Sequence, residues 1–149
     1  MMERKQFHLS KIKFPASGIE VSYTVNTTDG VIEYVAKTQE PVHPDLLACR
    51  RRFTAYLPEA LGWLDFAEPS EIQDFIDQSK VEVKGVATQG SAVTITAAIH
   101  APLGTYCANT PKIQSSEENN IDADFYDIET EVYLYIYEGK CAQLKIFGE

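Results

Sequence analysis

The stretch that most constrains the fold of this chain runs from residue 19 to residue 36. Ile19, Val21, Tyr23 and Val25 fall on one side of an extended backbone, with Glu20, Ser22 and Thr24 on the other. This is the period-two pattern of a half-buried strand. Thr27-Thr28-Asp29-Gly30 follows, its Asp-Gly pair tolerant of positive φ, and a second apolar-rich run occupies 31–36. The two runs are expected to pair as an antiparallel hairpin. Upstream, residues 7–14 are also extended but lose their alternation between Leu9 and Ile12, so either a bulge lies there or the strand starts only at Lys11. With a short turn over 15–18, the first third of the chain reads as a three-stranded meander.

The pattern changes at Pro41-Val42-His43-Pro44. A proline of fixed φ followed by Asp45 suits the first turn of a helix, where unpaired N–H groups and the dipole favour both. Leu46, Cys49, Phe53, Tyr56 and Leu57 follow at helical spacing, and Pro58 is expected to end or kink that helix. Leu61, Trp63, Leu64 and Phe66 read as continued packing. Ser70, with Gln73 three residues on, has the form of a capping box opening a short helix to about Gln78. Two more alternating runs, 81–84 and 93–99, are joined through Gln89-Gly90-Ser91 as a second hairpin. Residues 101–116, with two prolines and Gly104, read as a loop or irregular edge strand. The clearest helix begins near Asn120 and stops at Gly139, where glycine takes the left-handed cap. Phe125, Ile128, Val132 and Ile136 form its expected core stripe. The order β-β-β-α-α-β-β-α predicts one α+β domain over residues 1–149, an antiparallel sheet of about five strands with helices packed on one face.

Composition narrows the classes. The chain has 149 residues, 44% of them hydrophobic, and a net charge of −9. No apolar run approaches the roughly 20 residues of a membrane span. The opening Met1-Met2-Glu3-Arg4-Lys5 lacks an apolar signal segment, and a cytoplasmic protein is expected. Cys49, Cys107 and Cys141 form no CxxC pair, which argues against a disulfide framework or a zinc cluster. The charge is uneven. Residues 1–14 sum to +3, while residues 113–139 hold eight acids and no base. An acidic excess repels phosphate backbones unless the basic groups gather on one face. Arg4, Lys5, Lys11 and Lys13, and the run Arg50-Arg51-Arg52, are the two places where they could gather.

Catalytic motifs are absent from the sequence: no phosphate-binding glycine loop, no nucleophile elbow, no HExxH. His8, His43 and His100 lie far apart, and no cofactor is expected. Asp124, Asp127 and Glu131 share one helical face, the arrangement of oxygen ligands that a hard cation requires, although no EF-hand turn accompanies them. The same helix is rich in tyrosine. Tyr126, Tyr133 and Tyr137 fall beside the core stripe at steps of seven and four. Rings that bury large area while keeping a hydroxyl satisfied suit a subunit interface or a stacking platform.

Three local patterns carry a resemblance. Lys11-Ile12-Lys13 with residues 18–23 leads into Val42-His43-Pro44-Asp45-Leu46; Ala108-Asn109-Thr110-Pro111 lies in the middle; and the last helix closes in Glu138-Gly139-Lys140-Cys141-Ala142-Gln143 before an apolar tail over 144–147. Together they resemble a family of small, largely uncharacterised early-region proteins of tailed bacteriophages and prophages. The resemblance implies an accessory protein working inside the infected bacterium, with no enzymatic activity attached. It makes Asn109, Thr110, Pro111, Glu138, Gly139, Lys140 and Gln143 candidate functional residues.

The leading expectation is a non-catalytic binding protein that sequesters or inhibits a host factor or a small nucleotide ligand, homo-oligomeric through the tyrosine-bearing helix. Arg50, Arg51, Arg52, Asn109, Thr110 and Lys140 are its candidate ligand-binding residues and Tyr126, Tyr133 and Tyr137 its interface. Clustered carboxylates can imitate a phosphate backbone toward a basic host protein, whereas the arginine run could hold the phosphates of a nucleotide. One alternative is a recombination or replication accessory factor on single-stranded nucleic acid, using Lys5, Lys11, Lys13 and the arginines. The other is a metal-dependent phosphohydrolase built on Asp124, Asp127 and Glu131.

Overall fold

The computed structural model describes residues 3–78, 80–116 and 119–141. Strands β1 (Phe7–Lys13), β2 (Glu20–Thr27) and β3 (Gly30–Lys37) form the expected antiparallel meander. The register of β1 on β2 slips between Leu9 and Lys11, so the lost alternation is a β-bulge at Ser10. A two-residue loop joins Thr27 to Gly30, which pair across it. Gly18 closes the preceding turn at φ +68°. A Cβ there would lie 1.9 Å from the Thr38 carbonyl oxygen, so only glycine fits.

Helix α1 (Pro44–Arg52) starts where Pro44 and Asp45 direct it, and the His43 side chain caps it by accepting from the Asp45 N–H at 3.0 Å. Pro58 does not terminate the helical path. A 3₁₀ turn over Phe53–Tyr56 relieves the ladder first, and Pro58 then sits in the first turn of α2 (Leu57–Ala60), where a missing N–H costs nothing. Helix α3 (Pro69–Asp77) opens two residues earlier than the Ser70 box implies: Glu68 caps it and Glu71 completes the reciprocal bond, with Pro69 at the first position.

Strands β4 (Val81–Gln89) and β5 (Ala92–Ala101) form the second hairpin. Beyond it, residues 101–116 are more regular than their prolines suggest. A tight turn returns the chain as β6 (Gly104–Asn109) along the second half of β5, and β7 (Ile113–Gln114) resumes the pairing at Ala92 and Val93. The sheet therefore has seven strands in the order β3-β2-β1-β4-β5-β6, with β7 also on β5. Two meanders meet where β1 pairs antiparallel with β4.

Helix α4 (Ile121–Glu138) ends at Gly139 in the left-handed cap, as its sequence predicts. Ile121, Phe125, Ile128, Val132 and Tyr135 are its buried residues, so Tyr135 takes a core position while Ile136 is only half-buried. Its phenol reaches the Glu40 carbonyl at 2.6 Å and the Thr38 hydroxyl at 2.8 Å, which satisfies the one polar atom brought inside. The core joins these residues to Phe7, Leu9 and Ile12 of β1, Val83 and Val86 of β4, Ile95 of β5, and Leu46, Phe53 and Leu57 of the helical segment. The architecture is α+β, with α1 and α4 crossing one face of an antiparallel sheet. No helix among the described residues is long and apolar enough to cross a membrane.

Candidate functional site

The three consecutive arginines leave α1 in different directions. The Arg50 guanidinium carbon stands over the Phe14 ring, 4.5 Å from its centroid, and Nε donates to the Val83 carbonyl at 2.6 Å. Burial lowers its pKa, and Glu82 at 3.6 Å opposes that shift. Arg51 is exposed and shares with Arg50 a hollow of about 220 Å³ closed by Glu82 and Val83. Arg52 points to the other side of α1, toward α4, and pairs with Asp127 at 2.6 Å and Asp124 at 3.5 Å. A helical step of 100° per residue separates neighbours in this way.

The seam between α1 and α4 gathers more of the residues singled out by sequence than any other place. A groove of about 420 Å³ there is lined by Asp45, Cys49, Arg52, Tyr126, Asp127 and Glu131. Lys140 reaches back from beyond the α4 cap to Asp45 at 2.8 Å and Glu131 at 2.9 Å, and both carboxylates hold its pKa above the usual lysine range. Burial pushes the Cys49 thiol up. The Tyr56 phenol donates to Asp124, and its pKa is raised first by burial and then by that carboxylate. Asp124, Asp127 and Glu131, the carboxylates with metal-ligand spacing, each have a cationic partner. No cluster of potential metal ligands occurs among the described residues.

The tyrosines divide. Tyr126 is exposed, and the Arg4 guanidinium stands 4.6 Å from its ring centroid. Tyr133 and Tyr137 join Phe7, Tyr23 and Tyr34 in a chain of ring contacts with centroids 4.8–6.2 Å apart. The Tyr137 and Tyr23 hydroxyls share a hydrogen bond of 2.9 Å. Tyr137 stays 42% exposed at the margin of that cluster. Asn109 and Thr110 lie on the opposite side of the sheet order. Asn109 accepts from Thr96, and Thr110, nearly buried, exchanges two 2.9 Å bonds with the Ile95 backbone through its own N–H and its hydroxyl. That hydroxyl replaces the carbonyl a regular edge strand would supply before Pro111. Gln143 lies outside the described residues.

One site went unread in the sequence. Trp63, Phe66, Ala67, Ile72, Phe75 and Ile99 line an open apolar groove of about 410 Å³, walled by α3 and floored by β5. Trp63 meets Phe75 edge to face at 6.3 Å. Leu64 and Phe66, read from the sequence as continued packing, are instead 52% and 87% exposed, Phe66 at the lip of the groove just past the 3₁₀ turn Trp63–Asp65. The surrounding lobe, residues 53–78, carries Glu59, Asp65, Glu68, Glu71, Asp74 and Asp77 and no basic residue. All six are exposed, and among the described residues none forms an ion pair. Lys80 stands at one end, 5.8 Å from the Phe75 ring centroid. The run of unbroken acidity was visible in the sequence and is the signal that could have found this site. Compared with known protein families, characterised proteins and solved structures, the chain matches none.

Proposed function

We propose that this chain is a non-catalytic binding protein of the tailed-phage accessory type. It occupies a host protein inside the bacterium by taking a basic, apolar-anchored segment into the groove between α3 and β5. The observation that carries this reading is the coincidence of an open apolar groove, with Phe66 87% exposed at its lip, and six exposed carboxylates without cationic partners on the same lobe. Exposed apolar surface with a charged rim marks an interaction site. The apolar floor supplies affinity, and the carboxylate rim steers and selects a positively charged partner. A phosphate-bearing ligand is disfavoured at this lobe by the same charges.

Trp63 is the single tryptophan of the chain, so its emission reports occupancy of the groove directly. Titration with an amphipathic Lys/Leu model peptide should shift that emission saturably, with affinity falling as salt is raised. The Glu/Leu peptide of the same pattern should leave it unchanged. Phe66→Ser should weaken the basic peptide about tenfold, in line with loss of an aromatic anchor. No response to the basic peptide, or equal responses to both, overturns the reading.

A further inference from the structure

Strand β3 ends the sheet, and among the described residues nothing pairs with its outer edge. Its eight residues are regular and contain no proline, and seven of the eight are exposed. The two-residue loop makes Thr27 and Gly30 a mutually bonded pair, so every second residue from Gly30 bonds to β2. The alternate residues, Val31, Glu33, Val35 and Lys37, therefore turn their backbone N–H and C=O groups outward. Such an edge is a template for another strand, and proteins that leave one free usually blunt it with charge or proline. Here Val31 and Val35 are 62% and 77% exposed on one face, and Ile32 and Tyr34 are 45% and 41% exposed on the other.

We propose that this edge takes a second copy of the chain, two β3 strands pairing antiparallel about a twofold axis centred on Val35. Faces and charges select that register. Opposite residues in an antiparallel pair share a face, so only residues of the same parity can stand across from one another. Centring on Glu33 sets two carboxylates face to face. Centring on Tyr34 leaves Glu33 opposite a valine. Centring on Val35 sets Glu33 opposite Lys37 of the second copy, twice, and Tyr34 opposite the small Ala36. Lys37 is available for this, since its present contact with Glu20 is 3.8 Å long and largely in water. Tyr34 stacks on Tyr23, whose hydroxyl bonds to Tyr137, so the tyrosine flank of α4 opens onto the same margin. The edge is separate from the acid-rimmed groove, which lies over β5 beyond β1 and β4.

Mass measurement by sedimentation equilibrium tests the assignment with the whole chain. The chain is expected to be a dimer. Glu33→Lys, which sets like charges opposite at both ends of the seam, should weaken it about tenfold or more, and adding Lys37→Glu should restore it to within about threefold. Circular dichroism of each variant confirms that the fold persists. Rescue by the second substitution is a result that a merely misfolded edge cannot give. A monomer at every concentration overturns the proposal. A dimer unmoved by Glu33→Lys, or weakened and not rescued, overturns it equally.

Discussion

Glu129 does at residue scale what no backbone group can. Leu9 stands opposite Tyr23, whose backbone bonds to β3, so the Leu9 N–H faces the β4 side, where pairing begins only at Lys11; there it donates to the Glu129 carboxylate at 2.8 Å, while Arg4 holds the other oxygen at 2.8 Å. Removing the carboxylate with Glu129→Ala leaves a mostly buried N–H and a guanidinium short of partners. Urea melts should show a loss of about 2–3 kcal/mol, and Glu129→Gln, which keeps an acceptor, a smaller one. Thr110→Val, nearly equal in volume, should cost about 1–3 kcal/mol by orphaning the buried Ile95 N–H, with Thr110→Ser largely neutral. Neither role was legible in the sequence, where Glu129 was one acid among eight and Thr110 a candidate ligand-binding residue. Side-chain bonds that mend irregular backbone leave no periodic trace. Glu82 adds a pH dependence. The His100 hydrogen bond is the first cause holding its carboxyl below the ordinary 4.5, with Lys84 and Arg50 assisting. A carboxyl depressed in the folded state binds its proton more readily when unfolded, so its contribution is present above about pH 4.5 and fades as pH falls through the lower folded value. Acid titration of the melting temperature should show that fall, flattened in Glu82→Gln.

At the scale of elements, periodicity was a sound guide wherever one face is buried. The hairpins and the left-handed end of α4 could be read because alternation, an Asp-Gly pair and a terminal glycine each have one physical meaning; the lost alternation before Ile12 had two, and the register decides for the bulge. Reading failed where the chain leaves regular geometry. The helical path passes through a 3₁₀ turn ahead of Pro58, and the prolines at 102 and 111 left residues 101–116 open between a loop and an irregular edge strand, whereas β6 between them is a regular one. Helix α4 shows which stripe matters. Ile128 is fully buried, so Ile128→Ala should destabilise by about 2–4 kcal/mol. Tyr126, with its exposed ring, should cost within about 0.5 kcal/mol as Tyr126→Ser, apart from the lost Arg4 contact. Gly18→Ala, forced into positive φ against the Thr38 carbonyl, should lower stability by about 2 kcal/mol or more.

Over the whole molecule, runs of acid that look alike in sequence differ in how far they are neutralised. Among the eight between residues 113 and 139, Asp124, Asp127, Glu129 and Glu131 are engaged by Arg52, Arg4 and Lys140. On the lobe carrying α2 and α3, by contrast, none of the six exposed carboxylates is ion-paired among the described residues, a distinction that needs three dimensions. The Leu9–Glu129 bond reaches across this scale too. Because a helix near the end of the chain finishes the hydrogen bonding of its first strand, the platform has no complete form until the beam across it is seated. The Leu9 amide can surrender its hydrogen to solvent only when that carboxylate swings clear, so its deuterium uptake clocks how often the beam lifts.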